Sequence, residues 1–291
     1  MNKNNLISIV LPTYNRSKTI KKSVDSILNQ TYSNFELIIV DDCSTDNTSD
    51  IINNYYDKRI KYYKFKENKG ACAARNYGIN KSKGDLIAFQ DSDDEWLPNK
   101  LQSQYEFLIK SGSDINFCSF YRIINNRKKI IPSRGFIEPK NYTSSLLIEN
   151  FISTQTLLCK KKVFDRIMFD EGLPRFQDWD LVIRLSKEYK ISFLNEPLVN
   201  VYVQKDSISK NPIKGLKSIN ILYKKYKEFI LTDEKIKNSF DIKRVTFMFY
   251  SKCECKKELL GCLKNRFNIK IFIFYLLCIF HLNNVFIKLK K

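Results

Sequence analysis

The sequence predicts an α/β protein: a mostly parallel sheet flanked by helices, with a helical, basic C-terminal extension. Three observations predict it. Short apolar, β-branched runs alternate with segments of helical period from Ile7 to Lys110. The runs are apolar almost without a break, as strands covered on both faces must be. The composition, 43% hydrophobic and 13% aromatic with only 8 Gly and 7 Pro in 291 residues, fills a core and excludes a disordered or low-complexity chain. That length suits one large domain with an appendage, placed here at residues 1–210 and 211–291.

Ile7–Leu11 is the first strand, ended by Pro12. Ser17 caps a helix through Gln30 with Ile20, Val24, Ile27 and Leu28 on one face. Phe35–Val40 is the second strand and stops at Asp41-Asp42. A helix over Thr45–Tyr55, a strand over Ile60–Phe65 and a helix through Ala71–Ser82 lead to the strand Leu86–Phe89. That strand runs into Gln90-Asp91-Ser92-Asp93-Asp94, ahead of a helix over Pro98–Lys110. Strand-like runs at Ile115–Ile124 and Thr156–Cys159 then flank the polar stretch Asn125–Asn141. A helix at Leu181–Tyr189 and a strand region at Ile191–Val203 follow, and from Asn211 the chain is helical and basic, with no internal repeat.

In a parallel sheet, ligands bind outside the carboxyl ends of the strands. Asp41-Asp42 ends one strand and Asp91–Asp94 another, so carboxylates reach one rim from two strands. Carboxylates two apart, as in Asp91-Ser92-Asp93, suit a hard divalent cation that keeps coordination sites for substrate phosphate. A solvated turn is the plainer alternative for such a tripeptide.

Four segments follow one another in this order and spacing: Val10-Leu11-Pro12-Thr13-Tyr14-Asn15-Arg16, Val40-Asp41-Asp42-Cys43-Ser44-Thr45-Asp46, Asn68-Lys69-Gly70 with Ala74-Arg75-Asn76, and Asp91-Ser92-Asp93-Asp94. Together they resemble the signature of family-two glycosyltransferases with the Rossmann-like GT-A fold, over roughly residues 6–205. The resemblance implies an inverting transferase that takes a sugar from a nucleoside-diphosphate donor, UDP-linked by family analogy, with Mn2+ or Mg2+ as cofactor. It implies a saccharide or lipid-linked saccharide acceptor in bacterial surface-polysaccharide synthesis. By position, Pro12, Thr13 and Tyr14 match the loop packed on base and ribose, and Arg16 and Ser92 join the donor site. Asp42 matches the carboxylate that reads the base edge, with Asp41 as the alternative and a helix cap as the plainer role for either. Arg75 matches a basic residue near base and diphosphate, Asp91 one that touches ribose or metal-bound water, and Asp93 the direct metal ligand. Asp94 matches a supporting residue or the cap of the next helix.

Gln177-Asp178-Trp179-Asp180 stands where the family has a Glu-Asp pair before an aromatic residue, and Asp178 matches the general base on the acceptor hydroxyl. Gln177 in place of Glu removes a charge beside Asp178, which eases its ionisation. A second departure is Gln204, near where many relatives carry His; Lys205 is a candidate substitute.

The net charge of +19 is uneven: residues 1–204 hold 30 Lys+Arg against 24 Asp+Glu, and residues 205–291 hold 20 against 7. Nucleic acid binding would account for the charge but not for carboxylates at two strand ends, which repel phosphate unless a cation intervenes. A nicotinamide oxidoreductase needs a glycine-rich turn after the first strand, and Leu11–Arg16 has no glycine. An inactive relative is at odds with the presence of Asp93 and Asp178.

Ile271–Leu282 is the most apolar stretch; its 12 residues reach about 18 Å as a helix, short of a hydrocarbon core of about 30 Å. Flanked by Lys264, Arg266, Lys270, Lys288, Lys290 and Lys291, it suits an interfacial segment on an anionic membrane surface, with a buried helix or a dimer contact as alternatives. The eight cysteines lack framework spacing, and Met1–Asn5 leads straight into a strand with no secretory signal. Cys253, Cys255 and Cys262 lack the C-x-x-C and His partners of a zinc site. The expectation is a cytoplasmic protein, peripheral at the inner face of the membrane; nothing in the sequence sets an oligomeric state.

Overall fold

The computed structural model describes residues 5–133, 136, 138–203, 211–265, 267–280, 282, 283 and 287. The chain divides into two compact units, one comprising Met1–Leu146, Asn150–Glu171 and Gln177–Val203, the other Leu147–Glu149, Gly172–Phe176 and Gln204–Lys291.

The first unit is built on a nine-stranded sheet: β1 (Ile7–Thr13), β2 (Phe35–Asp41), β3 (Ile60–Lys64), β4 (Leu86–Phe89), β5 (Glu95–Trp96), β6 (Ile115–Ile124), β7 (Arg127–Ile131), β8 (Leu157–Lys160) and β9 (Ile191–Tyr202). The order is β3-β2-β1-β4-β8-β6-β9-β5, with β7 also on β6. β3, β2, β1 and β4 are parallel, β6 and β9 are parallel, and β8 runs antiparallel to both β4 and β6. β1, β2, β3, β4, β6 and β9 therefore share one direction, as the uninterrupted apolar runs predict.

Every residue of β1 and β2 is buried. One face packs Ile9, Leu11, Leu37 and Ile39 against Ile20, Val24 and Ile27 of α1 (Ile20–Leu28) and Leu101 and Leu108 of α4 (Lys100–Ser111). The other packs Ile38 and Val40 on Ala74 of α3 (Ala71–Lys81). The remaining α-helices before residue 204 are α2 (Thr48–Asn53), α5 (Tyr142–Ile148) and α6 (Gln177–Leu185).

Pro12 does not end the first strand: β1 continues to Thr13, with Pro12 opposite Val40. The Val10 carbonyl accepts from Gln90 N–H on the β4 side, where β4 stops, so the next same-side position, Pro12, has no partner needing the N–H it lacks. Two helices start later than their pattern suggests. Ser17 N–H donates to Asp46 Oδ2, and Thr45 and Asp46 N–H donate to Asn15 Oδ1, so both entry segments are held as loops. The polar stretch Asn125–Asn141 contains β7. Asn125 and Asn126 have φ of 47° and 64° and join Ile124 to Arg127, a two-residue hairpin turn of the kind that asparagine tolerates.

Gly84 sits where a Cβ would lie 2.4 Å from the Leu6 carbonyl oxygen and 2.8 Å from Ser8 N, which is strand backbone that cannot yield cheaply. Gly84→Ala is expected to destabilise the protein by about 1–3 kcal/mol, read as a lower urea midpoint at unchanged slope.

The second unit holds α7 (Pro212–Lys225), α8 (Lys227–Thr232), α9 (Glu234–Tyr250), α10 (Lys256–Asn265) and α11 (Ile269–Ile279). Asn211, Asp233 and Asn268 cap α7, α9 and α11 through side-chain oxygens that accept first-turn N–H groups. Val245, Phe249, Leu259, Ile271 and Phe274 form one core, with the Phe249 and Phe274 rings stacked at 4.1 Å. Among the described residues no helix is long and apolar enough to cross a membrane.

Candidate active site

The parallel strands bring the ends of β1, β2 and β4 to one rim, and the expected donor-site residues lie at these strand ends, in the loops that follow them, or, for Arg75, in α3. Pro12 and Thr13 are buried in β1, whereas Tyr14 is 44% exposed and presents its ring beyond the strand end. Asn15, at φ 50°, donates its N–H to Ser44 Oγ and accepts from Thr45 with its side chain, which locks the first loop onto the second. Asp46 accepts from Ser17 and Thr48; burial opposes its ionisation, but these hydrogen bonds win and hold its pKa at about 2.

Asp41 and Asp42 have separate roles. Asp41 is fully buried and accepts from Ser44 N–H (2.7 Å), Tyr62 OH (2.6 Å) and Ser49 Oγ (3.2 Å). Asp42 accepts from Lys69 N–H at 2.6 Å and Gly70 N–H at 2.8 Å, while Asn68 donates to its carbonyl. Gly70 has φ 91°, a conformation that favours glycine, and leads into α3. Asp42 thus sets the start of the helix that carries Arg75, and two carboxylate oxygens retain lone pairs for a further donor.

The acidic loop alternates. Asp91 and Asp93 keep 27% and 24% of their side-chain surface exposed, while Ser92 and Asp94 are buried. Asp91 Oδ1 accepts from Arg75 Nη2 at 2.6 Å, and Asp93 Oδ2 lies 3.7 Å from Arg16 Nη2. Ser23 of α1 donates to the carbonyls of Asp91 and Asp94 and so ties the loop to that helix. Asp94 does not cap the next helix, whose cap position is Asn99. Its carboxyl accepts from Gln155 Nε2 (2.6 Å) and Tyr202 N–H (2.9 Å), while burial, with the charges of Asp91 and Asp93, raises its pKa above the ordinary carboxylate value.

Asp178 is not ahead of its helix, as the sequence pattern suggests, but in the first turn of α6, with Trp179 N–H donating to it at 2.7 Å. Phe176, two residues earlier, holds φ 65°, an unusual backbone for a bulky side chain. Burial raises the pKa of Asp178 above the usual carboxylate value; the Trp179 N–H, the charge of Arg75 and the Asn150 side chain oppose this, and Asp91 adds to it. Those influences bring Asp178, Arg75 and Asp91 into one electrostatic neighbourhood. Asp180 is fully buried and paired with Arg184 at 2.7 Å, a structural contact.

Gln204 and Lys205 lie outside the described residues. Asn150 and Gln155, which hold Asp178 and Asp94, were not anticipated, because neither belongs to a motif or a periodic run. Asn76 was legible only as a motif letter; its amide bonds the backbone of Phe169 and the Glu171 carboxylate.

Among the described residues no group of three or more His, Cys, Asp or Glu forms a metal cage. The donor set instead fits a cation shared with its substrate, because Mg2+-like ions take one or two carboxylates and complete their shell with phosphate oxygens and water. Asp93, about a quarter exposed with Arg16 Nη2 3.7 Å from its carboxylate, is a hard oxygen donor suited to that task.

Residues 8–173 match the family described as Glycosyl transferase family 2. The chain is 35% identical over 217 residues, 73% of its length and 83% of the relative's, to UDP-Glc:alpha-D-GlcNAc-diphosphoundecaprenol beta-1,3-glucosyltransferase WfgD of Escherichia coli. Among solved structures, S. aureus TarS 1-349 in complex with UDP-GlcNAc superposes with a TM-score of 0.63 at 20% identity, covering 92% of this chain and 89% of that one. Mannosyltransferase PcManGT from Pyrobaculum calidifontis in complex with GDP-Man and Mn2+ superposes with a TM-score of 0.58 at 16% identity, covering 75% and 63%. At these identities the two structures show the fold alone, a GT-A fold.

Proposed function

The chain belongs to glycosyl transferase family 2 and is a glycosyltransferase, and from that premise we propose that it moves a sugar, with inversion, from a UDP-sugar to a hydroxyl of a lipid-linked saccharide in surface-polysaccharide synthesis. The observation that carries the reading is the grouping of Asp91 and Asp93, each beside an arginine, with Asp178 under the influence of the same Arg75–Asp91 pair. The WfgD relative, whose donor is UDP-Glc and whose acceptor is a GlcNAc-diphosphoundecaprenol, supports the choice of substrates.

Tyr14 offers its exposed ring to the base, Pro12 and Thr13 wall the same loop, and Asp42 reads the base edge with its remaining lone pairs. Arg16, Arg75, Asp91 and Ser92 line the ribose and diphosphate side. Asp93 would hold Mn2+ or Mg2+, and the bound ion would stabilise the charge that develops on the diphosphate leaving group. Arg16 and Arg75 bring further positive charge to the same region. Asp178 takes the proton of the acceptor hydroxyl, whose oxygen attacks the anomeric carbon opposite the breaking bond to the diphosphate. One displacement with one base inverts the configuration.

Incubation with a panel of UDP- and GDP-sugars and a GlcNAc-diphospholipid acceptor is expected to release UDP and give a product with inverted anomeric configuration, read by proton NMR. A product with retained configuration would overturn the mechanism; turnover of GDP-sugars alone would overturn the donor class.

A further inference from the structure

We propose that the outward face of α11 docks the second unit onto an anionic lipid bilayer. Lys270 apart, α11 carries apolar side chains on its inward and outward faces alike, and an apolar helix face is covered in its working state. Its inward face is covered: Ile271 and Phe274 are buried in the core with Phe249 and Leu259. Its outward face is not. Ile269, Phe272, Ile273, Leu276 and Phe280 stand at i, i+3, i+4, i+7 and i+11, one stripe of the helix. Ile269 and Phe280 are 62% and 65% exposed, Phe272 and Ile273 are also exposed, and Leu276 is half-buried. A contiguous apolar stripe of this kind on a soluble unit marks an interaction surface.

Charge selects the occupant. No Asp or Glu lies in the sequence after Glu258, while Lys264 stands in the last turn of α10 and Lys270 on α11 beside the stripe, both exposed. A second copy meeting this face about a two-fold axis would set each lysine against its own counterpart's surroundings, with no carboxylate from the segment to compensate. Anionic headgroups supply that compensation while acyl chains take the phenylalanine and isoleucine side chains. The helix lies in the interface rather than across it, since its 11 residues reach about 16 Å against a core of about 30 Å.

The inference does not depend on the proposed reaction, and its test uses no substrate. The 291-residue chain is floated with vesicles of equal parts phosphatidylglycerol and phosphatidylcholine, and with phosphatidylcholine alone. At least tenfold tighter binding to the anionic vesicles is expected, falling as salt rises from about 0.1 M to 1 M and the screening length drops from about 10 to 3 Å. Lys264→Gln and Lys270→Gln should each weaken binding about fivefold, the equivalent of about 1 kcal/mol per basic group. The triple variant Phe272→Ser, Ile273→Ser, Phe280→Ser should lose about a hundredfold at unchanged melting temperature; if it melts early, the lysine variants decide. Absence of vesicle binding, or binding indifferent to the stripe and the lysines, overturns the proposal. A lipid-free dimer in sedimentation velocity that the triple variant abolishes overturns it in favour of a second copy.

Discussion

Asp178→Asn is expected to cut turnover about a thousandfold while leaving donor affinity within about twofold, since removing a positioned base takes away a term realised only in the transition state. The substitution preserves the shape of the side chain and the acceptor for Trp179 N–H, so α6 should form as before. The pH profile is the second signature. Burial raises the folded-state pKa of Asp178, so kcat/KM falls as pH drops through that raised value and the base becomes protonated. In the Asn variant this acid limb should disappear from the residual activity. A purely structural Asp178 would lower stability and leave the limb in place.

Asp93→Ala is expected to reduce metal-dependent donor binding by about a hundredfold or more, as removal of a first ligand to the ion should. Magnitude separates this from a structural effect. The Arg16–Asp93 pair is 3.7 Å apart, with side chains 30% and 24% exposed, so loss of that ion pair by itself costs at most about 1 kcal/mol. Loss of metal dependence at nearly unchanged stability is therefore the expected pattern, measured by calorimetry alongside urea unfolding.

The rim was legible because it rests on local rules. Continuous apolar runs gave parallel strands, and acidic residues at their ends gave a site at the carboxyl edge. Errors arose where a tertiary contact overrode a local preference. Pro12 reads as a strand terminator, but β4 has already ended beside it, so the strand runs on. Thr45 and Ser17 read as helix starts, but Asn15 and Asp46 claim the N–H groups first. Asn125-Asn126 carried a hairpin signal that the surrounding polar residues masked.

The supports of the site were the least legible part. Gln155 holds Asp94 from 61 positions away, and Asn150 meets Asp178 from a region with no motif, so only the folded chain joins them. Asp94 looks like a helix cap in sequence; its buried carboxyl instead accepts from Gln155 and Tyr202 and so braces the acidic loop against the end of β9.

The most direct test of the account is calorimetric binding of UDP-sugars with Mn2+ and with chelator, for the wild type, Asp93→Ala and Asp178→Asn. The account predicts metal-dependent binding in the wild type and in Asp178→Asn, and its loss in Asp93→Ala. Donor binding indifferent to both chelator and Asp93→Ala would contradict the assigned roles, and no binding of any UDP-sugar would contradict the donor assignment itself.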